Sequence, residues 1–145
     1  CDDWNFQKAA EYLLGRVEEL RKENPGKPVA ILSGGELSCP VTGDGMGGRN
    51  QAFVLDCVGK IVAQPIIVLS GGTDGIDGNS PAAGAIADGQ SLERARVLGL
   101  DPEDYQRRSD SFHFFEKLGD AIVTGPTGTN VRDLRLLLAY PDAHP

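Results

Sequence analysis

Apolar residues Phe6, Ala10, Leu13, Val17 and Leu20 recur at spacings of four, three, four and three, which marks one stripe of an amphipathic helix. Glu18, Glu19, Arg21, Lys22 and Glu23 fall mostly on its wet side, Asp2 or Asp3 supplies a cap, and Asn24-Pro25-Gly26 stops it. The period then changes. Pro65–Leu69 is a short unbroken apolar run, the pattern of a strand buried on both faces; Val29–Leu32 repeats it, Ala121–Thr124 is another short strand, and Leu134–Tyr140 is apolar enough to be a final buried one. Between them, Ala52, Leu55, Val58 and Val62 give an apolar helix face to a stretch ending near Ala63. Ser91 opens a short helix through Leu92, Ala95 and Leu98 that Gly99 closes, and Asp101-Pro102-Glu103 is a cap, a first-turn proline and a first-turn acid for another. Ser109 or Asp110 caps the aromatic segment Phe112–Phe115, which stops at Gly119. The small residues of 81–87 call for close packing and leave helix or strand open. Strands alternating with helices predict one α/β domain: a mixed sheet with flanking helices and glycine-rich loops at the strand ends.

Composition narrows the chemistry. The 145 residues suffice for one core, and 40% hydrophobic with 24% charged residues is a globular balance. A formal net charge of −7 argues against non-specific binding to nucleic acid or to an anionic membrane. Cys1, Cys39 and Cys57 form no CxxC pattern and fit a reducing, cytoplasmic setting. No apolar run approaches a bilayer-spanning length, and an opening Cys in place of Met is expected of a piece cut from a longer chain.

The nineteen glycines cluster in loops. Val68–Leu69 delivers Ser70-Gly71-Gly72-Thr73-Asp74-Gly75-Ile76-Asp77-Gly78, in which Asp74 and Asp77 offer hard oxygen ligands to a divalent cation or simply form turns. Val29–Leu32 delivers a similar Ser33-Gly34-Gly35-Glu36. The segment 43–48 spells G-x-G-x-x-G and runs into a helix, which makes a candidate anion site at that N-terminus. No acid stands about 20 residues on to hold a ribose, and no Lys-Ser/Thr follows, so neither a dinucleotide fingerprint nor a Walker loop is complete. Arg49, at the mouth of the helix, either forks onto phosphate or carboxylate or makes a surface salt bridge. Thr127, Thr129 and Asn130 lie on a third glycine-rich loop, as phosphate or hydroxyl ligands or as a capped turn. Trp4 is expected to anchor the first helix, and His113, with no acid partner visible in sequence, to be structural.

Taken in order, Gly-Gly-Arg-Asn-Gln (47–51), Ser-Gly-Gly-Thr-Asp-Gly-Ile-Asp-Gly (70–78), Ala-Ala-Gly-Ala (82–85) and Thr-Gly-Pro-Thr-Gly-Thr-Asn-Val (124–131) resemble the MOFRL domain, the C-terminal domain of class II glycerate kinases. Residues 28–140 would be that domain, 1–27 its leading helix and linker, and 141–145 a tail. One departure is Ser109-Asp110-Ser111, where the family more often begins with Asn. The resemblance implies ATP-dependent phosphorylation of the 2-hydroxyl of D-glycerate, in a cleft shared with an N-terminal Rossmann-like domain absent from these residues. It implies Arg49 and Asp74 as catalytic residues, and Asp74 with Asp77 as ligands of Mg²⁺. Substrate or nucleotide would be bound by Gly47, Gly48, Asn50, Gly71, Gly72, Thr73, Thr127, Gly128, Thr129 and Asn130. The partners implied are D-glycerate and ATP, with no nucleic acid and no membrane; a homodimer is compatible with it. Some family members carry a hydroxypyruvate reductase name, so an NAD(P)H-dependent reductase is the alternative, and a non-catalytic anion-binding module a further one.

Overall fold

The computed structural model describes residues 3–142. Helix α1 (Phe6–Glu23) buries Phe6, Ala9, Ala10, Leu13 and Val17, and leaves Leu20 half-buried. Its cap is Asn5, whose side chain accepts from the Gln7 N–H at 2.9 Å. Asp3 instead has a left-handed backbone (φ 61) and donates its N–H to Glu36 O, and Asp2 lies outside the described residues. Trp4 stacks edge-on against Tyr12 of α1, in keeping with an anchoring role.

Five strands form one sheet in the order β1 (Val29–Gly35), β5 (Asp133–Ala139), β2 (Ile66–Gly72), β3 (Gly84–Asp88) and β4 (Ala121–Ile122). The α/β class and the flanking helices follow the sequence, but the expected mixed pairing does not. Every ladder is antiparallel. The parallel strands β1 and β2 never touch, because the last strand, β5, inserts between them in the opposite sense. The undecided segment of small residues enters as β3, where a methyl at Gly84 would overlap the β2 backbone at Ser70. β4 is two residues long and stops before Val123.

Helix α2 (Arg49–Val58) is the central element, buried on nearly every side: Ala52, Phe53, Val54, Leu55, Cys57 and Val58 all lie in the core. It ends five residues before the expected Ala63, and Val62 is exposed. α1 packs beside α2 on one face of the sheet, and α4 (Pro102–Arg107) and α5 (Ser111–Leu118) pack on α2 from the far side. α3 (Ser91–Val97) and α4 begin where expected, with Asp101 Oδ1 accepting from Glu103 N–H at 3.0 Å. α5 starts at the expected Asp110 and stops at Gly119, whose φ of 82 suits glycine.

The start of α2 is fixed from outside the helix. Asp77 is 2% exposed, and its carboxylate accepts from the backbone N–H groups of Asn50 (3.1 Å) and Gln51 (2.9 Å). It also accepts from the side-chain amides of the same two residues, at 3.1 and 2.9 Å. Gly48, the cap position, supplies no side chain, so an acid 27 residues away in sequence does the capping. A methyl at Gly48 would overlap that carboxylate. Burial pushes the Asp77 carboxyl up from its ordinary value, against the opposing pull of the four N–H donors.

Removing this acceptor leaves three buried donors without a partner, and Gln51 Nε2 with Ser80 Oγ alone. Asp77→Ala is expected to lower unfolding stability by at least about 2 kcal/mol. Asp77→Asn is also expected to be destabilising, because its NH₂ would face an N–H. An unchanged urea midpoint in both variants would show that the carboxylate does not hold the helix.

Candidate functional site

The C-terminal ends of β1 and β2 and the start of β5 meet at one end of the sheet, where Gly35, Asp133 and Gly72 lie in one register row. Arg49, the first residue of α2, reaches this row. Its Nε donates to Asp133 Oδ2 at 2.5 Å and its Nη2 to Asp133 Oδ1 at 3.1 Å, a bidentate fork. Nη2 also stands 3.5 Å from Glu36 Oε1. The Asp133 side chain is 2% exposed and that of Arg49 is 37% exposed, so the pair has an inner acid and an outer cation. The hydrogen bond to Asp133 raises the Arg49 pKa and keeps it charged at any working pH. Nη1 has no protein partner among the described residues and leaves an open guanidinium edge.

Two positions further along β5, Arg135 is fully buried, and its Nη2 donates to Gly34 O (2.6 Å) and Gly35 O (3.0 Å) at the end of β1. The loop between β4 and β5 is laced to the loop after β2 at the same end. Thr73 Oγ1 donates to Arg132 O at 2.6 Å and accepts from Val131 N–H at 2.8 Å. Thr127 Oγ1 donates to Thr73 O at 2.5 Å, and Thr127 N–H donates to Asp74 O. Asn130 Oδ1 accepts from Arg132 N–H at 3.0 Å. The Thr129 hydroxyl and the Asn130 NH₂ stay on the exposed rim, with Gly128 between Thr127 and Thr129.

The structure therefore divides the expected site residues. Arg49, Gly71, Gly72, Thr73, Asp74, Thr127, Gly128, Thr129 and Asn130 come together around the sheet end. Asn50 does not face solvent: it is 1% exposed, its NH₂ is spent on Asp77, and its Oδ1 accepts from Ser70 Oγ at 2.7 Å. The expected anion site at the N-terminus of α2 is already filled by the Asp77 carboxylate. Gly43, Gly45 and Gly47 answer a packing demand, since a methyl at each would overlap Arg108, Asp110 or Ser111. The Gly47 N–H donates to Asn79 Oδ1 at 2.9 Å.

Asp74 and Asp77 also part company. Asp74 Oδ1 accepts from Ile76 N–H at 3.0 Å in a local turn, while both oxygens of Asp77 are committed to α2. Among the described residues, no group of three His, Cys, Asp or Glu side chains is placed to hold a metal ion. His113 does have an acid partner, Asp110 Oδ1 at 2.6 Å from Nδ1. Partial burial works to raise the Asp110 carboxyl, but Met46 N–H, His113 and Arg108 outweigh it and hold it below its ordinary value. This cluster ties the 43–47 loop to the α4–α5 turn, since Asp110 Oδ1 accepts from Met46 N–H at 2.9 Å.

Asp133 is the residue that sequence reasoning missed. Its signal was there: Asp133 and Arg135 are charges two apart at the head of an apolar strand, hence on the same face. A groove of about 1450 Å³ is lined by Ala52 and Leu55 of α2, by Leu37 and Cys39–Thr42, and by Gly47, Gly48 and Arg49. Arg49 thus stands between the groove and the sheet-end loops.

Known proteins agree with this architecture. The D-glycerate 2-kinase of Thermotoga maritima is 38% identical over 135 residues, covering 91% of this chain and 32% of the relative. The crystal structure of glycerate kinase from the same organism superposes with a TM-score of 0.87 at 38% identity, covering 94% of this chain and 34% of that one. The glycerate kinase of Danio rerio is 39% identical across 97% of this chain and 28% of its own. Two Agrobacterium vitis relatives, each 46% identical, bear a hydroxypyruvate reductase name; this chain covers 30% and 31% of them. The chain spans about a third of the length of these relatives. The sequence profile of the MOFRL family matches residues 29–133, which hold β1 to β4, α2 and Asp133, the acid that receives Arg49: the chain belongs to the MOFRL family.

Proposed function

We propose that this chain is the part of a glycerate kinase that presents Arg49 to an anionic group of the reactants, either the carboxylate of D-glycerate or the phosphoryl group in transfer from ATP. The observation that carries the reading is the braced fork. A buried carboxylate holds two guanidinium nitrogens and turns the third outward, at the junction of a groove and two glycine-rich loops. Phosphoryl transfer asks a protein for positioning and charge stabilisation more than for covalent chemistry, and a fixed guanidinium edge supplies both. The Thr129 hydroxyl and Asn130 NH₂ are donors on the same rim, suited to substrate hydroxyls or phosphate oxygens. The names of the kinase relatives support the substrate assignment. Their length supports a second domain that closes the cleft over Arg49.

Mg²⁺ is not given a place here. Both oxygens of Asp77 are committed to the start of α2 and Asp74 Oδ1 to the turn at Ile76, so the expected Asp74–Asp77 pair does not fit a divalent cation. The reductase alternative needs a dinucleotide-binding turn. The only G-x-G-x-x-G segment follows an antiparallel ladder and spends its glycines on packing, which argues against that alternative.

Three outcomes are expected in the full-length protein. Arg49→Lys keeps the charge and loses the fork, and should lower kcat with D-glycerate and ATP by about 10² or more. A rate within a few-fold of wild type would remove Arg49 from the chemistry. Because Asp133 is buried, Arg49→Ala should also lower the melting temperature, whereas Arg49→Lys should recover most of that loss without recovering rate. Asp74→Asn preserves the turn at Ile76, so melting temperature and Mg²⁺ requirement should both stay near wild type. A raised Mg²⁺ requirement would return Asp74 to a metal-holding role.

A further inference from the structure

Antiparallel sheets usually alternate apolar residues toward the core with polar residues toward water. This one does not. The helices lie on the face that carries Ile31, Val68, Ala85 and Leu137. The opposite face reads, strand by strand across β1, β5, β2 and β3, as Ala30–Leu138–Ile67–Asp88, Leu32–Leu136–Leu69–Ile86 and Gly34–Leu134–Gly71–Gly84. Asp88, at the end of β3, is the single charge in these three rows. Leu32 is 71% exposed and Leu134 43%, Ile67, Leu69, Ile86, Leu136 and Leu138 are half-buried, and Val131 and Tyr140 stand exposed at the two ends of β5. None of the five helices has its main packing on this face; α3 to α5 sit against α2, β4 and one another.

We infer that this second face is an interface, covered by an apolar layer of the longer polypeptide in which MOFRL relatives carry this domain. Size decides between a tethered neighbour and a second copy. Four strands about 4.8 Å apart and five residues at about 3.3 Å each outline a patch of roughly 300 Å². A stable complex of separate chains needs about 800 Å² on each partner. Contacts between domains of one chain begin near 600 Å² in total, because the tether supplies a high effective concentration. The face is sized for the second case. The relatives provide the material, since about two thirds of their length lies outside the region that this chain matches. The chemistry of the occupant follows from the rows. It presents an uncharged stripe of aliphatic side chains, as an amphipathic helix packed on a sheet does. This contact is distinct from the cleft at Arg49, which lies at the end of the sheet and on its helical side.

The test is thiol labelling at the face. Leu32→Cys and Leu136→Cys are made with Cys1 and Cys39 replaced by Ser; Cys57 is fully buried. Each is reacted with a maleimide probe, once in the 145-residue chain and once in the full-length protein. In the short chain exposed position 32 should label readily and half-buried position 136 more slowly, and the full-length protein should slow each at least tenfold while a cysteine replacing exposed Val97 labels equally in both. Equal rates at positions 32 and 136 in the two proteins overturn the inference. So does protection in the short chain that grows with its concentration, which would give the face to a second copy. Because the readout is labelling, loss of kinase activity and exposure of the face are separate results. Circular dichroism of the two variants excludes misfolding as the source of exposure.

Discussion

One buried carboxylate sets the geometry on which the rest of the domain relies. Helix α2 begins at glycine, so it has no capping side chain of its own and would bury unsatisfied N–H groups. Asp77 reaches it from the loop after β2 and occupies those donors. Where α2 starts is therefore fixed relative to the sheet end, and with it the direction in which Arg49, its first residue, leaves the backbone. Gln51 and Asn50 extend the bracing to Ser80 and Ser70, so the loop, the helix and strand β2 are tied together by one hydrogen-bond network. The arginine then needs only Asp133 to settle its head group.

This arrangement reassigns the glycine-rich loop. A helix N-terminus after several glycines is a sound anion site when its N–H groups are free. Here they are taken by an internal acid, and the glycines serve close contact between backbones. In the proposed function, the positive group offered to the reactants is the Arg49 edge, backed by the buried Asp133 carboxylate. A forked, buried-acid brace preorganises the cation, so less side-chain freedom is lost when an anion arrives.

Much of the fold was legible because local signals were consistent. The stripe of α1, the Asp101-Pro102 start of α4 and the Gly119 stop of α5 each depend on a few neighbouring residues. Pairing was not legible, since nothing in Leu134–Ala139 says that it slots between β1 and β2. The apolar runs that pointed to strands buried on both faces belong to an antiparallel sheet whose second face is apolar as well. In the site, glycines and hydroxyls announced the loops. What the sequence hid was which acid served which partner. Asp77 offers itself in sequence as half of a metal pair and caps a helix; Asp133 stands just ahead of the expected strand, without an assigned role, and holds the arginine. Both roles join residues 26 or more positions apart, beyond the reach of any local pattern.

The central claim is that the reactants' anion sits on the outward edge of Arg49. The most direct measurement is a crystal structure of the full-length protein with D-glycerate and a non-hydrolysable ATP analogue. The account predicts a carboxylate or phosphoryl oxygen within hydrogen-bonding distance of Arg49 Nη1, with the Arg49–Asp133 fork and the Asp77 cap unchanged. Ligand oxygens held instead by the backbone of 47–51, with Asp77 displaced or Arg49 left facing solvent, would contradict it.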